Sequence, residues 1–164
     1  MLGRFPAAMT LRCLPILMAL MLAGCPAVDT RELNFTRNKP GIGDLIGTWT
    51  PNKESIQLIR TEGKYSAAHP KVILRADGTY SFVEMPDWWS SATGESTGTT
   101  ETFDGSWKLQ ERKSPWTVWE IQLQAPKNVC SIHLYRQKPP YCLFVGVGDP
   151  NDARAMIFDH QDNK

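Results

Sequence analysis

Apolar positions along the chain fall into two regimes: one continuous run near the N-terminus, then many short segments broken by Gly, Pro, Asn and Asp. The first regime is Cys13-Leu-Pro-Ile-Leu-Met-Ala-Leu-Met-Leu22. Residues 26–41 follow and are polar, with no sustained periodicity. From Asp44 onward the short segments carry aromatic and β-branched residues, and no window supports a long amphipathic helix. Asp44-Leu-Ile reads as a single helical turn opening a first strand at Gly47–Thr50. Further strands are predicted over Ser55–Arg60, Lys71–Arg75, Thr79–Glu84, Phe103–Gln110, Trp116–Gln124, Val129–Arg136, Tyr141–Val147 and Ala155–Asp159. Within Trp119-Glu-Ile121-Gln-Leu123-Gln the alternation assigns one face to the core. Ala76-Asp77-Gly78 marks the clearest hairpin, because Asp-Gly supplies the positive φ of a tight turn. Such spacing argues an all-β, antiparallel sandwich or barrel of eight to nine strands.

One connection interrupts the rhythm. Residues 85–102 are rich in Ser, Thr and Gly and contain the adjacent pair Trp88-Trp89. Connections of this length are typically lids, binding loops or disordered segments. Adjacent side chains cannot both face one core from a regular strand, so at least one ring is expected at the surface, available to a partner. The competing expectation is that a ring caps an open barrel end.

The N-terminal run has its own meaning. Arg4 and Arg12 precede it, no acidic residue occurs before Asp29, and small residues close it at Ala23-Gly24. A basic region, a short apolar region and a small-residue cut site make an export signal. The uncharged stretch from Cys13 to Val28 is 16 residues long with Pro15 and Pro26 inside it, short of the ~20 that a spanning helix needs. Translation from Met1 and from Met9 both leave a basic start. Leu22-Ala23-Gly24-Cys25 resembles the bacterial lipobox at every position. That resemblance implies cleavage between Gly24 and Cys25, and diacylglycerol and an N-acyl chain on Cys25 as the only added groups. Two or three acyl chains hold firmly where one holds marginally. Pro26, in place of Asp, implies by the same resemblance the periplasmic face of the outer membrane. The expected organisation is a signal over 1–24, a lipidated Cys and polar tether over 25–43, and a β-domain over 44–164.

Charge adds little. Eighteen basic and 17 acidic residues give +1, and loss of the signal's two arginines brings the balance to about −1. Nothing in that balance recruits nucleic acid or an anionic surface, and no basic cluster is interleaved with aromatics as a nucleic-acid site would require. Of the four cysteines, Cys13 leaves with the signal and Cys25 takes the lipid. Cys130 and Cys142 remain in an oxidising compartment, where a disulfide and two buried thiols are both open readings.

Gly47-Thr48-Trp49, the hairpin Leu74-Arg-Ala-Asp77-Gly78-Thr79-Tyr80-Ser-Phe82, and Asp104-Gly105-Ser106-Trp107 together resemble the lipocalin-like domains of bacterial lipoproteins. The segment from Val147-Gly148-Asp149-Pro150 to Phe158 is similar to the close of such domains. The resemblance implies an antiparallel, lipocalin-like barrel of eight to nine strands rather than a sandwich, with Trp49 plugging one barrel end and Trp107 also closing the barrel. The later Thr-Asp-Tyr motif has no counterpart here, so a fold is implied more than a function.

Catalytic and metal motifs are missing from the sequence. His69, His133 and His160 are scattered, and neither His-Glu-x-x-His nor an exported Cys-x-x-Cys occurs. Asp149-Pro-Asn151-Asp152 carries oxygen ligands but lacks EF-hand spacing and reads as a turn. Ser131 and His133 share a strand face, yet no Gly-x-Ser-x-Gly elbow accompanies them. No metal site and no enzyme are expected. The expected role is binding of a small apolar or amphipathic ligand in the barrel, or of an envelope protein through Trp88 and Trp89. A structural, interaction or inhibitor role without a cavity is the alternative.

Overall fold

A computed structural model of the chain describes residues 34–61, 65, 68–89, 95–113, 118–124, 129–148 and 154–161. The signal, Gly24, Cys25 and the Asp149–Asp152 turn lie outside the described residues. No helix among the described residues is long and apolar enough to cross a membrane.

Eight antiparallel strands close into one barrel in sequence order: β1 (Gly47–Pro51), β2 (Lys71–Leu74), β3 (Thr79–Pro86), β4 (Thr100–Arg112), β5 (Val118–Gln124), β6 (Val129–Tyr135), β7 (Cys142–Gly146) and β8 (Ala155–Gln161). Closure comes from β1 pairing with β8, Thr48 opposite Gln161 and Pro51 opposite Phe158. That pairing removes the sandwich alternative. It also leaves no free sheet edge among the described strands.

Ser55–Arg60, expected as a strand, is instead part of helix α1 (Lys53–Thr61). Pro51 ends β1, and Asn52 then acts as N-cap, its Oδ1 accepting the Ser55 N–H at 2.8 Å. Glu54 and Arg60 complement the helix dipole at opposite ends. Ser55 and Ile59, four residues apart, bury one face of the helix. The Ser55 hydroxyl accepts the Ile157 N–H at 2.7 Å, which docks α1 on β8.

An eight-stranded barrel is just wide enough for side chains to fill it. Here Trp49, Val72, Leu74, Tyr80, Phe82, Ile121, Leu123, Ile132, Leu134, Leu143, Met156 and Phe158 are buried and belong to one core cluster. A bulge between Phe82 and Met85, with Glu84 at φ 50°, re-aims β3 so that Met85 and Pro86 are buried as well.

The end of the barrel where β1 starts will be called the lower end. Asn34–Thr36, inside the span 25–43 expected as a polar tether, pack on the barrel instead. Thr36 is fully buried between β5 and β6. Its N–H donates to Leu134 O at 2.9 Å, and its carbonyl accepts the Trp119 N–H at 2.8 Å. Phe35 bridges Tyr135, and Asn34 O accepts the Arg136 N–H at 2.7 Å. The β5–β6 pairing ends at Glu120 and His133, so Asn34–Thr36 fills the seam below it. A 3-10 turn at Ile42–Asp44 then leads into β1.

Both Gly-x-Trp signatures act at this lower end. Trp49 Nε1 donates to Leu45 O at 3.1 Å, and its ring meets His160 edge-on at 4.6 Å. Gly47 has φ 144°, and a Cβ there would collide with the His160 ring, so the position accepts only glycine without strain. Trp107 Nε1 donates to Arg75 O at 3.0 Å, pinning the β2–β3 hairpin.

Candidate functional site

Because α1 leaves the barrel at Pro51 and the chain returns at Lys71, a groove opens between the helix and the ends of β1 and β2. Its volume is about 260 Å³. Pro51, Ile56, Ile59, Ala68 and Pro70 supply apolar lining, while Arg60, His69 and Lys71 stand exposed at the rim. Thr50 and Gln161 add polar groups, joined to each other by a 3.0 Å hydrogen bond. Glu84 approaches the rim, accepting the His69 backbone N–H at 3.0 Å. The groove lies on the outer wall. The inward positions of the described strands hold the core side chains named above.

A second polar cluster lies on the outer face of β5 and β6. Ser131 Oγ donates to Glu120 Oε1 at 3.0 Å, His133 Nδ1 sits 3.6 Å from Glu120 Oε2, and Arg112 Nε sits 3.8 Å from the same oxygen. Glu120 is only 5% exposed. Neither Glu120 Oε2 nor His133 Nδ1 has a hydrogen-bond partner. Phe35 covers the imidazole with ring centres 5.0 Å apart. Burial holds the His133 pKa below its ordinary value; Arg112 pushes the same way, and Glu120 opposes both. Ser131 and His133 are thus brought together, but the serine donates to the carboxylate and not to the imidazole. That order does not activate a nucleophile.

Trp88 and Trp89 do not form an exposed pair. They sit in a 3-10 turn, Asp87–Trp89, at the upper end. Trp88 is fully buried, its Nε1 donating to Met156 Sδ at 3.4 Å. Trp89 is half-buried, stacked on Phe103 at 5.8 Å and edge-on to Phe82 at 4.9 Å. The cause is Asp87. Its carboxylate accepts the hydroxyls of Tyr65, Thr97 and Thr99 and the Thr97 N–H, which folds this connection back over the barrel. Burial works against ionisation there, but the hydrogen bonds from Thr97, Tyr65 and Thr99 bring the Asp87 pKa below its ordinary value. The rings therefore serve as a cap on the core, as the competing expectation had it.

Cys130 and Cys142 are free thiols, which removes the disulfide reading. Cys142 lies opposite Tyr135, five residues along β6 from Cys130, or about 16 Å of strand. No bridge spans that distance. Burial raises the Cys130 thiol to about 11. Burial and the Asp159 carboxylate, which accepts the Cys142 S–H at 3.0 Å, raise Cys142 to about 12. Among the described residues, the buried Tyr80 OH and Trp89 Nε1 also lack hydrogen-bond partners. Burial pushes the Tyr80 hydroxyl up to about 12, with Cys130 and Asp104 adding to it.

His160 Nε2 lies 3.0 Å from Ile46 O and packs on Trp49, and His69 stands at the groove rim. No cluster of three metal-ligating side chains occurs among the described residues. The groove residues Ile56, Ile59, Arg60 and Lys71 were not expected as a site, because the first three fell in a segment read as a strand. Asn52 followed by apolar residues at 56 and 59 was the available helix signal. No protein-family model, curated protein or solved structure matches the chain.

Proposed function

We propose that this is a lipid-anchored protein of the bacterial cell envelope that binds a small anionic amphiphile on the outer wall of a filled barrel. The observation that carries this reading is the groove beside α1, with apolar lining and Arg60, His69 and Lys71 at its mouth. Its 260 Å³ lies just under the ~300 Å³ of the smallest common ligand pockets, which suits a short acyl chain or a single ring. Two permanent cations at the rim select a carboxylate, sulfate or phosphate head. The lipobox at Leu22–Cys25 supports an anchor carried on Cys25, and Pro26 supports the periplasmic face of the outer membrane. The reading is of a binder rather than an enzyme, in keeping with the Ser131–Glu120–His133 order.

Titration calorimetry with decanoate tests the ligand class. The wild-type protein should bind, and Arg60→Glu/Lys71→Glu should weaken binding by at least about tenfold, since one charge-assisted hydrogen bond contributes ~1.5–3 kcal/mol. Equal affinity in the double variant, or no binding by the wild type, refutes it. For the anchor, labelled palmitate should enter the wild-type chain and not Cys25→Ser.

A further inference from the structure

Asn34–Thr36 is tied into the β5–β6 seam, and this fixes where any anchor on Cys25 must pull. Cys25 lies nine residues before Asn34, a reach of about 30 Å when fully extended. The chain toward Cys25 therefore leaves the barrel from its lower end. Its surface chemistry is that of an interfacial belt. Trp119, Phe35 and Tyr135 are half-exposed beside the seam, and Lys39 Nζ stands 5.6 Å over the Trp119 ring. Amphipathic aromatic rings favour the headgroup level of membranes.

Charge is distributed the same way. Around the seam the exposed cations Arg37, Lys39 and Lys138 make no ion pair with another described residue, whereas Arg112 is shared with Glu120 and Arg136 with Asp159. Gln137 connects them: it accepts the Arg37 N–H at 3.3 Å and donates to Phe35 O, which sets Lys138 beside the same strand. Asp44, Asp77 and Glu111 are also exposed at the lower end, Glu111 paired with Lys113, while the upper end carries Glu54, Glu84, Asp87, Glu95 and Glu101 alongside Lys53, Arg60, Lys71 and Arg154.

We infer that the lower end, built from Phe35, Arg37, Lys39, Trp119 and Lys138, docks on the anionic phospholipid surface that holds the anchor. This rests on the lipoprotein reading above. Docking leaves the α1 groove on the side of the barrel, with its Arg60 rim toward the upper end and open to the aqueous phase. Each basic residue at an anionic surface shifts the docked-to-free ratio about fivefold, so three shift it on the order of a hundredfold.

The test is hydrogen–deuterium exchange on the full lipidated protein in nanodiscs, either purely phosphatidylcholine or half phosphatidylglycerol. Intact mass first reads whether the acyl groups are present. Peptides covering 34–41 and 136–141 should exchange at least about tenfold more slowly in anionic discs at low salt, and this protection should fade in high salt. Arg37→Glu/Lys39→Glu/Lys138→Glu, at solvent-exposed positions and with a matched melting temperature, should exchange equally in both discs. Equal exchange by the lipidated wild type in both discs overturns docking alone. Protection confined to the upper end, or retained by the charge-reversed protein, also overturns it. A chain without acyl groups overturns the lipoprotein reading and the docking together.

Discussion

Tyr80 and His133 show what the barrel tolerates at single positions. Tyr80 is buried at 0% exposure, and its hydroxyl has no protein partner. An unsatisfied buried hydroxyl costs ~1–3 kcal/mol. Tyr80→Phe should therefore leave stability unchanged or raise it by up to about 1 kcal/mol in urea unfolding. A clear loss would mean that the hydroxyl is satisfied by something other than protein. At His133 the depressed pKa has a definite consequence for acid stability. The neutral imidazole is favoured in the fold, while the unfolded chain takes up its proton near the ordinary value of 6.5. The contribution of His133 is thus fully present above pH 6.5 and is lost as the pH falls below it through the folded value. His133→Gln should lose less melting temperature than wild type between pH 7 and pH 5. Identical losses would show that Glu120 keeps the imidazole charged.

The elements differ in how far the chain reveals them. All eight barrel strands are legible from short apolar segments bounded by turn residues, since β-strand burial on one face leaves a direct imprint, as in Ile121 and Leu123 against Gln122 and Gln124. The Asp77-Gly78 hairpin is equally local: Asp77 Oδ1 accepts the Thr79 N–H at 2.9 Å, and Gly78 takes φ 80°. Helix α1 is not imprinted in this way. Ile56-Gln57-Leu58 alternates like a strand, and the deciding groups are a cap at Asn52 and a hydroxyl at Ser55 that meets Ile157, 102 residues away. A contact of that range has no local signature. The groove was missed for the same reason, since it exists only because α1 stands off β1 and β2. Thr36 is a parallel case, polar in sequence and buried only because β5 and β6 splay apart around it. The cap can be checked directly. Asn52→Ala should destabilise the protein by about 1 kcal/mol and speed amide exchange at Ser55 first; an unchanged midpoint would mean that docking on β8, not capping, holds the helix.

For the whole molecule, the barrel is a filled scaffold with a distinct job at each end. Its lower end is closed by Trp49, Trp107 and the inserted Asn34–Thr36 segment, and it is the end proposed to face lipid. Its upper end is closed by α1, Tyr65 and Trp88, drawn together through Asp87 and Ser55. Between them the aromatic core fills the interior, and the proposed binding groove lies on the outer wall. Amide chemical-shift mapping during decanoate titration tests this most directly. The account predicts shifts confined to Ile56–Arg60, Ala68, His69 and Lys71, with Phe82, Ile121 and Leu143 unmoved. Shifts centred on those three inward positions would contradict it, because they would put the ligand inside the barrel.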